Sequence, residues 1–85
     1  MVDIIKTLKS NATLYYWHSH NKYNYVRVFL SNEYGLKEIT HEISDILGMK
    51  KAGMFLMGPK GDPAVEITDK LNRKCDKLLC YEDMG

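Results

Sequence analysis

Apolar positions along this chain fall into segments of two different periods. Val2, Ile4, Ile5 and Leu8 have the spacing of one or two helical turns, although a piece this short fits an edge strand equally well. Residues 13–18 and 23–30 are rich in β-branched and aromatic side chains, and the polar, turn-forming His20-Asn21-Lys22 lies between them. That arrangement predicts a β-hairpin. In its second strand Val26, Val28 and Leu30 alternate with Tyr25, Arg27 and Phe29, so the valine/leucine side is expected on the core and the other side partly wet. Tyr15, Trp17, Tyr23 and Tyr25 then include exposed rings.

A turn is expected around Ser31-Asn32-Glu33-Tyr34-Gly35, after which residues 36–39 either finish the hairpin layer or lead into a helix. Thr40 is placed to cap that helix, Ile43, Ile46 and Leu47 share one stripe, and Gly48 suits the left-handed residue that ends it. Gly53-Met54-Phe55-Leu56-Met57-Gly58 is an apolar run bounded by glycines, the pattern of a central strand buried on both faces. A turn at Pro59-Lys60-Gly61 precedes Asp62 as cap and Pro63 as first residue of the best-defined helix, whose inward stripe is Ala64, Ile67, Leu71 and Cys75. Residues 78–81 are expected to add a last strand and 82–85 to form a frayed acidic tail. The expected fold is therefore α+β: a small antiparallel or mixed sheet that starts with a β-hairpin, with two helices on one face, in ββαβα(β) order.

Length changes the picture by limiting it to a single domain, residues 1–85, with an apolar fraction of 45% that is enough for one core. Small domains bury a smaller share of their surface, which leaves little chain for a deep catalytic cleft. An enzyme is disfavoured on that ground. The opening Met1-Val2-Asp3-Ile4-Ile5-Lys6 does not read as a secretory signal, and no apolar run approaches membrane-spanning length, so a cytoplasmic location is expected. Two cysteines, Cys75 and Cys80, fit a reducing compartment and no structural disulfide. Formal net charge is +1, but its distribution is uneven. Glu33, Glu38, Glu42 and Asp45 outnumber Lys37 in residues 31–49, and seven basic residues face Asp62, Glu66, Asp69 and Asp76 in residues 50–77. A mixed solvated surface explains that balance as well as an acidic or polyanionic partner does.

Candidate chemistry is sparse. Cys75 and Cys80 have four residues between them, at the wide end of zinc-ligand spacing, with His18, His20 and His41 available to complete four ligands. Because Cys75 lies on an inward helix stripe and Cys80 in an apolar strand, both are expected to be buried inert thiols, and no metal is expected. Nothing supplies the electropositive setting that would make either a nucleophile. Glu38, Glu42 and Asp45 lie at helical spacing and fit a solvated face. The loop Gly58-Pro59-Lys60-Gly61-Asp62-Pro63 follows a strand and opens a helix, where a phosphate can bind, but it lacks Walker spacing, its prolines remove donors and Asp62 opposes an anion. Asn11-Ala12-Thr13 matches a glycosylation sequon that a cytoplasmic chain would not use. No catalytic residue and no cofactor are assigned.

The set with functional content is basic and aromatic: Lys22, Tyr23, Tyr25 and Arg27 on the hairpin, with Lys50, Lys51, Lys60, Lys70, Arg73, Lys74 and Lys77 elsewhere. Lys and Arg release counterions from phosphates and exposed rings stack on unpaired bases, so these residues are candidates for binding RNA or a protein partner. Trp17 and the tyrosines are equally the residue types that anchor protein interfaces. A homo-oligomer that buries the hairpin aromatics is compatible with either use.

From about Tyr25 to Cys75 the order of elements resembles small phage and prophage proteins that share a strand, a Thr-led helix ending in Leu-Gly and a glycine-bounded strand. Here these are Tyr25-Val26-Arg27-Val28-Phe29, Ile39-Thr40 through Ile46-Leu47-Gly48, and Gly53-Met54-Phe55-Leu56-Met57-Gly58 with Asp62 beyond. The chain departs from that group where Gly58-Pro59-Lys60-Gly61 replaces a second glycine-rich stretch carrying Cys and Met. Length and Asn/Lys/Tyr-rich composition are similar to accessory proteins of T4-type phages, among them inhibitors of ToxN toxins. The resemblance implies a non-enzymatic antagonist of a host endoribonuclease toxin of a type III toxin–antitoxin system, with RNA assisting the complex. It transfers no binding residue. The alternative is a small RNA-binding domain without a dedicated protein target, and a small nuclease or nucleotide-handling enzyme comes third.

Overall fold

The hairpin is built as its alternation requires. The computed structural model describes residues 3–19, 24–58 and 63–84. In it β1 (Thr13–His18) pairs antiparallel with β2 (Tyr25–Asn32), from Thr13 opposite Ser31 to His18 opposite Val26. Leu14 and Tyr16 from β1 and Val26, Val28 and Leu30 from β2 are buried on one side, while the intervening residues are only half-buried. The chain then turns at Asn32, whose Oδ1 accepts the Tyr34 N–H at 2.8 Å, and β3 (Gly35–Glu38) runs back along the far half of β2. Both readings of residues 36–39 hold, since β3 leads directly into α2 (Thr40–Leu47).

Beyond α2 come β4 (Lys51–Ala52), β5 (Phe55–Met57), α3 (Pro63–Cys75) and β6 (Cys80–Asp83); before the hairpin the first apolar segment forms α1 (Ile4–Lys9). The sheet is mixed, in the order β4-β5-β2-β1-β6 with β3 also on β2, and β6 lies parallel to β1. The helices cover the valine/leucine face. Their inward residues, Ile4 and Leu8, Ile43, and Ala64, Ile67, Leu71 and Cys75, join the buried sheet residues and Leu79 in one cluster. The structure is thus α+β as expected, with α1 added to the two anticipated helices. Asp3 caps α1 by accepting the Lys6 N–H at 3.3 Å, and Lys77 Nζ donates to the carbonyls of Lys9 and Ser10 at its other end.

Four expectations change. Gly53-Met54-Phe55-Leu56-Met57-Gly58 is not one doubly buried central strand but the turn and second strand of a small hairpin. Gly53 turns with φ +62°, Met54 is 57% exposed, and only Leu56 is fully buried. Thr40 does not cap α2: its hydroxyl accepts the Val28 N–H at 2.8 Å and lies 2.9 Å from Glu38 Oε2, which fastens the helix start to β2. The last strand lies two residues later than expected, so Glu82 and Asp83 pair with β1 rather than fraying. Cys80, expected to be buried, is exposed on that strand, because β6 has no element beyond it among the described residues. Gly48 does end α2 in the left-handed region, at φ +66°. The turns at 20–22 and 59–61 and the Asp62 cap lie outside the described residues.

Candidate functional site

The face of the sheet away from the helices carries the rings that the period-2 pattern turns outward. Register sets Tyr15 opposite Phe29 and Trp17 opposite Arg27, and β5 brings Phe55 alongside. Trp17 and Phe55 stack with centroids 5.8 Å apart and planes at 24°, and the Tyr25 ring lies 6.5 Å from that of Phe55, tilted by 38°. The Arg27 guanidinium sits 5.4 Å from the centroids of both Trp17 and Phe29. It is held there by a fork to Glu38 across the β2–β3 ladder, Nε to Oε2 at 2.8 Å and Nη2 to Oε1 at 2.6 Å. This hydrogen-bonded pairing lowers the Glu38 pKa and raises that of Arg27, so the fork stays charged at neutral pH.

The result is a half-buried platform of planar groups whose orientations are fixed by one another. Such a surface offers stacking, cation–π contact and shape to a partner. Compared with protein-family models, curated proteins and solved structures, the chain matches none of them.

Among the residues named from sequence, Tyr25 and Arg27 belong to this platform. Lys70, Arg73 and Lys74 do not: α3 packs on the opposite face of the sheet, where Tyr16 on β1 meets Thr68 at 2.7 Å, and its exposed side points away from the rings. Lys70 pairs with Glu66 at 3.1 Å. Lys77 bonds the end of α1, and Lys51 on the β4 edge approaches His41 Nδ1 at 3.4 Å beside the exposed Lys50. The aromatic and helical basic sets therefore form two surfaces rather than one. Lys22, Tyr23 and Lys60 lie outside the described residues. Sequence reasoning named Trp17 and the tyrosines as interface-anchoring types without assigning Tyr15 or Trp17 to the site, and it left out Phe29 and Phe55. The alternation with Val26 and Val28 was signal enough for Phe29, whereas Phe55 was hidden by the reading of its strand as doubly buried.

Among the described residues, acid–base and nucleophilic groups are dispersed. His18 Nδ1 lies 3.7 Å from Asp83, and the exposed His41 lies one helical turn from Asp45, at 3.4 Å. Burial pushes the Cys75 thiol up from its ordinary pKa, opposite to the shift that makes a thiol reactive. No cluster of three or more metal-ligating side chains occurs among the described residues, and none of their helices is long and apolar enough to cross a membrane.

Proposed function

We propose that this chain is a non-enzymatic, phage-encoded binding protein that inhibits a ToxN-like endoribonuclease toxin of a type III toxin–antitoxin system in the host cytoplasm, with RNA contacts assisting. The observation that carries the binding role is the ordered, half-buried platform of Trp17, Tyr25, Arg27, Phe29 and Phe55 on the sheet face away from the described helices. Trp, Tyr and Arg dominate interface energetics, the aromatics because they desolvate a large area while losing little conformational freedom, and Arg27 is already held in one orientation by Glu38. Occlusion needs only a standard interface of about 800 Å² per partner, and the described surface of 5460 Å² accommodates that. The resemblance to phage accessory proteins supports the target class. Exposed Arg73 and Lys74 at the end of α3, with Lys70 beside them paired to Glu66, offer a second surface on which RNA phosphates would be neutralised.

The test is affinity capture of tagged protein from cells containing the toxin, with and without nuclease treatment. A toxin ribonuclease retained in an RNA-sensitive complex, and lost from a Trp17→Ala, Phe55→Ala double variant that still folds, supports the proposal. RNA recovered by the purified protein with no protein partner supports the alternative, an RNA-binding domain that stacks bases on the same rings.

A further inference from the structure

Among the described residues three strands, β3, β4 and β6, have a neighbour on one side only, and they are finished differently; β3 carries Lys37 and commits Glu38 to the Arg27 fork. β4 has two residues, one of them Lys51, and both brevity and lysine discourage pairing with another strand. β6 is twice as long and continuously paired with β1, without a bulge from Cys80 opposite Thr13 to Asp83 opposite Tyr16, and all four of its residues are exposed. The Met84 N–H donates to the Tyr16 carbonyl at 2.8 Å, which fixes the phase of the parallel ladder. Residues 80, 82 and 84 turn their backbone groups toward β1, and Tyr81 and Asp83 turn theirs outward.

We infer that this edge accepts an extended, basic segment of a protein partner as an additional strand. Charge decides the occupant. Glu82 and Asp83 put two carboxylates on four residues with no cation in the strand, and among the described residues the nearest basic group to either is the His18 ring on β1, 3.7 Å from Asp83. A second copy pairing antiparallel across a two-fold axis would bring four carboxylates together, which like-charge repulsion opposes, whereas lysines or arginines on an incoming strand meet opposite charges on both faces. Main-chain bonds to Tyr81 and Asp83 supply the affinity and the flanking carboxylates the selectivity, the usual division when a peptide extends a sheet. Half-exposed Tyr81 and Met84 add an apolar rim. This edge is separate from the aromatic platform and does not depend on what the platform binds.

The experiment is a titration of the isotope-labelled protein with an alternating lysine–valine hexapeptide, followed by amide chemical shifts and hydrogen exchange, with a glutamate–valine hexapeptide in parallel. The lysine peptide should slow exchange at Tyr81 and Asp83 about tenfold at saturation, as a new hydrogen bond requires. The acidic peptide should not. Glu82→Lys combined with Asp83→Lys should weaken lysine-peptide binding about tenfold, the effect of two partly exposed charge pairs. Asp83→Pro, which deletes an outward donor while sparing the bonds to β1, should weaken it more than Asp83→Asn does. Amide dispersion checks that each variant folds. Unchanged exchange at Tyr81 and Asp83, equal binding of the acidic peptide, or the same protection arising from self-association without peptide would overturn the inference.

Discussion

The hydroxyl groups of Tyr16, Thr68 and Thr40 are the polar atoms on which this small core depends. Thr68 Oγ1 donates to the Ala64 carbonyl at 2.7 Å, so its contact with Tyr16 at 2.7 Å is one in which the phenol donates. Tyr16→Phe leaves that acceptor unfilled and should cost about 1 kcal/mol in urea unfolding. Thr40→Val strands the buried Val28 N–H and should cost about 2 kcal/mol, while Thr40→Ser should recover most of it. Backbone conformation gives a pair of opposite signs. Gly48 at φ +66° should lose about 1 kcal/mol as Ala, and Asp76, a non-glycine residue at φ +51°, should gain up to about 1 kcal/mol as Gly. At the Arg27–Glu38 fork, the lowered carboxyl pKa means that stability is fully present above the ordinary carboxylate range and falls as pH drops through the lowered value. Glu38→Gln should flatten that acid limb and cost about 1 kcal/mol or less at neutral pH, because both partners are partly exposed.

At the scale of elements, the β4–β5 hairpin is where local pattern and fold diverge. Positive φ at Gly53 but not at Met54 is the pattern of a two-residue turn with glycine first, and it breaks an apolar run that looks continuous. Met54→Asn should therefore change stability by no more than about 0.5 kcal/mol, whereas Leu56→Ala in the same run should cost about 2–5 kcal/mol, as read from thermal or urea unfolding. Thermal melts of the two variants would separate a turn from a buried strand. The longest helix, α3, was legible because thirteen residues give several turns of consistent apolar spacing and Pro63 marks the start. The six-residue α1 was not, since so few residues satisfy either period, and packing against α3 settles it.

Among the described residues the helices lie on one face of the sheet and the half-buried rings on the other, and the two candidate surfaces are divided accordingly. Lys70→Glu with Lys74→Glu should reduce RNA retention and make it less dependent on salt, because fewer counterions are released. The Trp17→Ala, Phe55→Ala variant should instead lose the partner at every salt concentration. If both variants lost RNA and partner alike, the separation of surfaces would have no functional meaning. Only part of the candidate site could be read beforehand. Tyr25 and Arg27 follow from alternation along one strand, but their neighbours Trp17, Phe55 and Glu38 come from three other strands, and nothing local joins them.

The sequence by itself determined the α+β class, the strands of the hairpin, the inward stripe of α3 and the glycine that ends α2, because each depends on residues within a few positions of one another. Tertiary structure alone decided that Thr40 fastens a helix to a strand, that Gly53 breaks an apolar run, that β6 returns parallel to β1 as an exposed edge, and that the basic helix and the aromatic sheet face opposite ways. Those outcomes depend on which elements meet across the core. The free energy that selects them is spread over contacts between residues far apart in the chain, where one-dimensional periodicity carries no information.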